Sequence, residues 1–386
     1  MKVIHLCRTF SKLSETFIYD AITELDATEI ENEVVTFKRI HATDRPFSKV
    51  HLLVPSPLMR AASALKKALS MIGLGNFDPA AELESQRQRL LHRFLKSHRP
   101  DLVHAHFGLQ GWTLRPVATA LKIPFIVSFH GYDAFRLPES PIWRSRFREL
   151  FDAAAAITVV SKHMKAHLQA LGCPEAKLQL IHVGKCISKY HYRTAIQRPL
   201  RNFISIGRLS EKKGFLDCIA AFKLLLKQYP DLSLKIIGTG EMEAQLQEAL
   251  KDEALKNNIK LLGSLPHAKV KEALKQADAF ILCSKTGSTG DKEGIPTVLM
   301  EAQAMGLPCI STLHSGIPEV IPAAAQNLLA REGDLADIAD KIALLINMPG
   351  DALEQIRQQG RQLIEAEFNL KKETYKLSRL MQSLVK

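Results

Sequence analysis

The six cysteines of this 386-residue chain (Cys7, Cys173, Cys186, Cys218, Cys283, Cys309) form no C-x-x-C pair, which argues against a zinc knuckle or a disulfide framework. Several lie in apolar runs and are expected to be buried thiols. No window approaches the ~18 consecutive apolar residues of a transmembrane helix. No signal-peptide pattern is visible after Lys2, so the protein is expected to be cytoplasmic. Glycine is absent from Arg8–Glu15, the segment after the first strand-like run. The turn Gly238-Thr-Gly240 has Glu243 where a dinucleotide fingerprint ends in glycine, which counts against an NAD-dependent oxidoreductase. No D-x-D carboxylate pair is present, so no metal ligands are expected.

Acidic residues are scarce in the first half. Residues 1–198 carry 28 Lys+Arg against 17 Asp+Glu, whereas the remaining 188 carry 24 against 23, and the whole chain has a net charge of +12. Such asymmetry suits an anionic surface or substrate met by the first half. The charge has no recognition motif or stacking aromatics beside it, so nucleic acid is not expected as a partner. Two basic segments, 58–72 and 87–99, read as amphipathic helices, a pattern that can lie on anionic lipid.

What is present is a repeated alternation of strands and helices. Strands are expected at Lys2–Cys7, Glu33–Phe37, Lys49–Val54, Asp101–His106, Pro124–Phe129, Ala156–Val160 and Leu178–Val183, with a helix from Thr16 to Leu25. After an aperiodic stretch over 184–200 the alternation restarts. It gives strands at Phe203–Gly207, Leu232–Gly238, Ile259–Leu262 and Ala279–Cys283, and helices over 214–229, 242–255 and 269–276. Three helices follow, over 335–346, 352–368 and 371–385. Alternation of this kind predicts two α/β units with doubly wound parallel sheets, divided near Arg198. Ligands in such sheets bind beyond the carboxyl ends of the strands, where Ser14, Glu15, His104, His106, His130, Tyr132 and Asp133 stand.

The densest signal is Ser284–Ser311. A polar loop follows an apolar run, and a helix opens at Pro296 and closes by Gly306 and Pro308. Unpaired N–H groups of a first helical turn attract phosphate, so Thr297 and the residues that lead into the helix, Gly294, Ile295 and the N–H-less Pro296, are candidate donor-binding residues. Glu293 and Glu301, eight residues apart, are better suited to accepting hydrogen bonds from hydroxyls. A phosphate flanked by hydroxyl acceptors suggests a nucleotide-sugar. Gly207-Arg-Leu-Ser-Glu-Lys-Lys-Gly214 offers the cations Arg208 and Lys213 for a diphosphate.

Taken in order, Gly207-Arg208-x4-Lys213-Gly214, Glu293-Gly-Ile-Pro-x4-Glu301 and His314-Ser-Gly-Ile-Pro-Glu319 resemble the retaining glycosyltransferases of family 4. Ser11-Lys-Leu-Ser-Glu-Thr-Phe-Ile18 and Phe129-His-Gly-Tyr-Asp133 are similar to the subset that builds bacterial exopolysaccharides of the colanic acid and amylovoran type. The resemblance implies the GT-B fold: two Rossmann-like domains facing across a cleft. Residues 1–198 would bind the acceptor and 199–369 the nucleotide-sugar, with the last helix, 370–386, packed back on the first domain.

Carried over by position, Arg208 and Lys213 would hold the donor diphosphate beside Gly207 and Gly238, Glu301 the ribose and Glu293 the transferred sugar. His130 would reach that sugar from the other domain. Ser14, Glu15, His106, Tyr132 and Asp133 are acceptor-binding candidates, and base contact is expected near Gly263–His267. The resemblance further implies metal-independent transfer of a hexose, with retention, from a UDP- or GDP-sugar to a lipid-linked or oligosaccharide acceptor. The enzyme would work in the cytoplasm and peripherally on the inner membrane face. A non-hydrolysing nucleotide-sugar epimerase, built on a similar pair of domains, is the alternative.

Overall fold

Short runs of Val, Ile and Leu with no polar alternation form strands buried on both faces, as parallel sheets require. A computed structural model describes residues 1–71, 77–196 and 198–385. Two compact units emerge. The first comprises Met1–Val159, His167–Ile181 and the chain from Thr374 onward, and the second Val160–Ala166 and His182–Glu373.

In the first unit the strands are β1 (Lys2–Cys7), β2 (Glu31–Thr36), β3 (Val50–Leu52), β4 (Leu102–His106), β5 (Phe125–Phe129), β6 (Ala156–Val159) and β7 (Leu178–Leu180). They pair in parallel in the order β3-β2-β1-β4-β5-β6-β7. The second unit contains β8 (Asn202–Ile206), β9 (Ser233–Ile237), β10 (Ile259–Leu261), β11 (Ala279–Ile281), β12 (Cys309–Thr312) and β13 (Leu329–Ala330), ordered β10-β9-β8-β11-β12-β13. Both orders reverse direction beside their first strand, between β1 and β4 and between β8 and β11. Those switch points open crevices at the strands' carboxyl ends.

Helices cover the sheets where small residues permit it. In the first unit these include α1 (Thr16–Leu25), α2 (Pro57–Met71), α3 (Pro79–His98) and α4 (Gly108–Leu121). A Cβ on Gly108 would lie 2.7 Å from the Phe129 ring, and one on Gly111 2.8 Å from both Val127 methyls, so α4 packs on β5 only with glycine at these positions. Phe129 meets Phe147 edge-to-face at 5.3 Å. Truncating such a ring in a packed core costs about 3–5 kcal/mol. From Thr374 the chain adds Leu377 and Met381 to a cluster with Val3, Leu25, Leu102 and Ile126.

The expected strands and helices are found with ends shifted by a few residues, except that the basic segment 87–99 belongs to the longer helix Pro79–His98. The helix expected over 242–255 stops at Ala249, and β12 and β13, neither of them expected, complete the second sheet. The expected basic helix 58–72 runs Pro57–Met71; Ile72, like Gln197 in the aperiodic stretch and Lys386 at the end of the expected helix 370–386, lies outside the described residues. All six cysteines are free, and five are buried. Among the described residues no helix is long and apolar enough to cross a membrane.

Candidate active site

The loop after β11 and the helix Thr297–Ala304 carry the Ser284–Ser311 signal, and the fold braces this stretch from several sides. The Lys285 N–H donates to the Lys212 carbonyl at 2.9 Å, and Lys285 Nζ pairs with Asp217 at 2.8 Å. Glu211 accepts from the Ser288 N–H at 2.9 Å and its hydroxyl at 2.6 Å. Lys212 Nζ pairs with Asp291 at 2.9 Å. The loop is thus tied to the turn after β8, which supplies the cations. That turn depends on glycine within it and against it: a Cβ on Gly214 (φ +64°) would lie 1.8 Å from the Cys283 carbonyl oxygen, and one on Gly238 (φ +151°), just after β9, 1.8 Å from that of Gly207.

Glu293 is the best-held residue of the loop. It is buried, and its Oε2 lies 3.1 Å from Lys213 Nζ while Lys212 Nζ is 3.9 Å from Oε1. Its N–H donates to His314 Nε2 at 3.1 Å, and its carbonyl accepts from the Ser315 hydroxyl at 2.7 Å. His314 in turn donates from Nδ1 to Glu332 at 2.7 Å, which fixes the tautomer that leaves Nε2 an acceptor. Burial works to raise the Glu293 pKa, yet Lys213 and Lys212 outweigh it and hold the carboxyl below its usual range. Glu332 is likewise lowered against burial, by the Thr286 N–H and His314. Oε1 of Glu293 is closed to solvent and has no hydrogen-bond donor among the described residues.

Glu301 takes a different partner from any expected. Lys185 Nζ lies 2.6 Å from its Oε1, with both side chains buried. Lys185 is held there because its N–H donates to the Phe368 carbonyl at 2.7 Å and its carbonyl accepts from the Leu370 N–H at 2.9 Å. Gly184 permits this approach, since a Cβ there would lie 2.4 Å from Leu370 Cα. Gly294, Ile295 and Pro296 are buried ahead of the helix, Thr297 is half-buried at its start, and Arg208 is exposed. The Gly238 N–H donates to the Gly263 carbonyl at 2.9 Å, so the segment expected near the base abuts the β9 turn.

In the first unit the ends of β4 and β5 converge on His130. Its ring lies 4.8 Å from those of Phe17 and Phe107 and stacks on His106 at 5.9 Å and 12°. Burial drives its pKa down to about 3, so it is a neutral imidazole, and neither ring nitrogen has a partner among the described residues. Two acceptor-binding candidates, Asp133 and His106, are buried. Asp133 is fully buried and accepts from the N–H groups of Gly108, His130 and Gly131 at 2.8–3.0 Å, so it braces the loops after β4 and β5. His106 is only 3% exposed and belongs to a buried histidine group with His5 and His104. Tyr132 and Ser14 are exposed, whereas Glu15 is half-buried and paired with Lys12 at 2.8 Å.

Sequence reasoning missed Lys185, Lys212, Glu332 and the bracing role of His314. His314 stands in a quoted motif and Lys212 beside a chosen cation. Lys185 and Glu332 carry no local signal, because their partners lie 116 and 18 residues away.

Comparison with known proteins converges on one family. The profile of "Glycosyltransferase Family 4" matches residues 14–184 and that of "Glycosyl transferases group 1" residues 189–363. The amylovoran biosynthesis glycosyltransferase AmsK of Erwinia amylovora is 32% identical, with 96% of each chain covered. The putative colanic acid biosynthesis glycosyltransferase WcaL of Escherichia coli K12 is 29% identical, with both chains covered in full. Among solved structures, a glycosyltransferase of Rickettsia africae has a TM-score of 0.78 at 14% identity, covering 100% of this chain and 98% of its own. Anabaena HepE in complex with UDP-glucose has 0.76 at 16%, covering 99% and 100%. These two likenesses bear on the fold, and the matches do not favour the epimerase alternative. The chain is a glycosyltransferase of family 4 with the GT-B fold.

Proposed function

We propose that the protein transfers a hexose, with retention, from a UDP- or GDP-sugar to a lipid-linked or oligosaccharide acceptor in bacterial exopolysaccharide synthesis. The observation that carries this reading is Glu293: one carboxylate oxygen held by Lys213, both backbone groups pinned, and the other oxygen buried with no donor among the described residues. A buried acceptor with no partner is costly unless a ligand satisfies it. A sugar hydroxyl is the neutral donor that suits it, because a phosphate would be repelled.

The cations provide the rest. As the anomeric bond breaks, charge develops on the leaving diphosphate. Lys213, Lys212 and Arg208, with the first-turn N–H groups at Thr297, offer positive potential fixed in advance. These groups do the work a bound metal does in other transferases, so we propose metal-independent transfer. No enzymatic nucleophile is required: the departing phosphate can take the acceptor's proton during same-face attack. Glu301 would receive the ribose hydroxyls on Oε2, since Lys185 occupies Oε1. His130 would meet its substrate as a neutral hydrogen-bonding imidazole.

The printed names of AmsK and WcaL support the exopolysaccharide setting, and the UDP-glucose in HepE supports a nucleotide-sugar donor. Helix α2 supports peripheral placement on the inner membrane face. It buries no residue, exposes Leu58, Leu65 and Met71, and carries Arg60, Lys66 and Lys67 without an acidic residue. Glu293→Ala and Lys213→Ala, made separately, should leave the protein folded and lose transfer from the correct donor by at least ~10²-fold. Full activity in both variants would refute the assignment.

A further inference from the structure

The sequence contains two tryptophans, Trp112 and Trp143, and both line one pocket of about 510 Å³ in the first unit. Ligand pockets commonly enclose about 300–1,000 Å³. Its walls include Arg8 just after β1, Phe37 just after β2 and Gln110 in the first turn of α4, so it opens at the carboxyl ends of three parallel strands, the binding side of such a sheet. None of Ser14, Glu15, His106, Tyr132 or Asp133 lines it.

Three features of the pocket point to one ligand chemistry. Arg146 lies 5.2 Å from the Trp112 ring and 4.9 Å from that of Trp143, and no carboxylate pairs with it among the described residues. Stacking uses the flat of a guanidinium and leaves its in-plane N–H donors for an oxyanion. Arg87, over the Phe37 ring at 5.4 Å, and Arg8 add two more cations; burial and then the charge of Arg8 pull the Arg87 pKa down. Glu84 approaches Arg87 only to 4.0 Å. Lastly, Gln110 is 6% exposed, and its Oε1 has no donor among the described residues, nor has Oε1 of Glu84. Aromatic faces, unmatched hydroxyl acceptors and clustered arginines together suit a sugar ring bearing negative charge.

We propose that this pocket is a subsite for an anionic saccharide, the charged portion of the acceptor, held by Trp112 and Trp143 against its apolar face and by Arg146, Arg87 and Arg8 at its carboxylate or phosphate. This rests on reading the chain as a transferase with a carbohydrate acceptor. It also gives the positive charge of residues 1–198 a task beyond attraction to lipid.

Because the two tryptophans are the only ones in the chain, their emission reports on this pocket. The full-length protein, without donor, is titrated with cellobiouronic acid and with cellobiose, and with glucose 1-phosphate and glucose. Cellobiouronic acid or glucose 1-phosphate, or both, should change the emission saturably, at least tenfold more tightly than the neutral partner and more weakly as KCl is raised; which one does so identifies the anion as carboxylate or phosphate. Arg146→Met should weaken that binding at least tenfold at an unchanged melting temperature, and Arg8→Met, at an exposed position, should weaken it severalfold. No saturable change with either anionic sugar, equal affinity for the neutral sugars, or wild-type affinity in both variants would overturn the proposal. UDP and GDP binding, measured on the same samples by calorimetry, separates the two readings. Nucleotide binding without pocket binding refutes the subsite and leaves the transferase reading, whereas pocket binding without nucleotide binding does the reverse.

Discussion

Lys185 Nζ sits 2.6 Å from Glu301 Oε1, and the two side chains are 4% and 11% exposed. A buried pair of this kind is poorly replaced one partner at a time, because the survivor keeps its desolvation cost without its counter-charge. It joins the segment after His182 to the helix that follows Glu293.

Lys185→Met should therefore destabilise the protein by about 3 kcal/mol. The double variant Lys185→Met/Glu301→Leu should recover part of that loss, since the remaining buried charge is gone. Chemical denaturation of the wild type, the two single variants Lys185→Met and Glu301→Leu, and the double variant checks this. Additive losses would show that the pair is not coupled.

The relay Glu332–His314–Glu293 yields a separate expectation. Glu332→Leu removes the acceptor that fixes the His314 tautomer, and the Glu293 N–H then loses its dedicated partner. The His314–Glu332 hydrogen bond, to a charged group, is worth about 1.5–3 kcal/mol, which corresponds to roughly a 10–150-fold loss of kcat. KM for the donor should change much less, because the cations that bind the diphosphate are untouched. Steady-state kinetics distinguishes a loss in kcat from one in KM.

The buried histidines predict a pH dependence of stability. Burial pushes His5 down to about 4 and His130 to about 3, and His104 and His106 well below their ordinary 6.5. In the unfolded chain each takes a proton below pH 6.5, while the folded chain refuses it until far lower. The unfolded state thus binds more protons in this window, and stability falls as the pH falls from 6.5 toward 4, by up to about 1.4 kcal/mol per pH unit for each such histidine. Melting curves between pH 7.5 and 4.5 should show this decline, and His106→Gln should flatten it. A melting temperature independent of pH in that range would contradict the assignment.

Much of this architecture was readable in advance, for physical reasons that particular segments illustrate. Lys2–Cys7 and Phe125–Phe129 are apolar runs bounded by polar residues, and α1 places Ile18, Ile22 and Leu25 on one buried stripe. Glu293 and Lys213 could be chosen because each stands in a loop between a strand and a helix. Other features had no local cue. The helix after β9 ends at Ala249 although apolar residues continue, because the chain passes into turns where Asp252 accepts from the Ala254 N–H. β12 is four buried residues with neither strand nor helix periodicity. Lys185 stands in the aperiodic stretch 184–200 with no motif around it. Its role depends on Gly184 lying against Leu370, a contact made only in the folded chain.

The reading of the second unit as a nucleotide-sugar site is tested most directly by thermal shift with UDP, GDP and ADP, on the wild type and on Lys213→Ala. A ligand that binds only the folded state stabilises it by RT ln(1 + [L]/Kd), about 2.7 kcal/mol at one hundred times Kd. The account predicts that UDP or GDP raises the wild-type melting temperature by several degrees and that Lys213→Ala loses most of that rise. No rise with any of the three, or an equal rise in the variant, would contradict it.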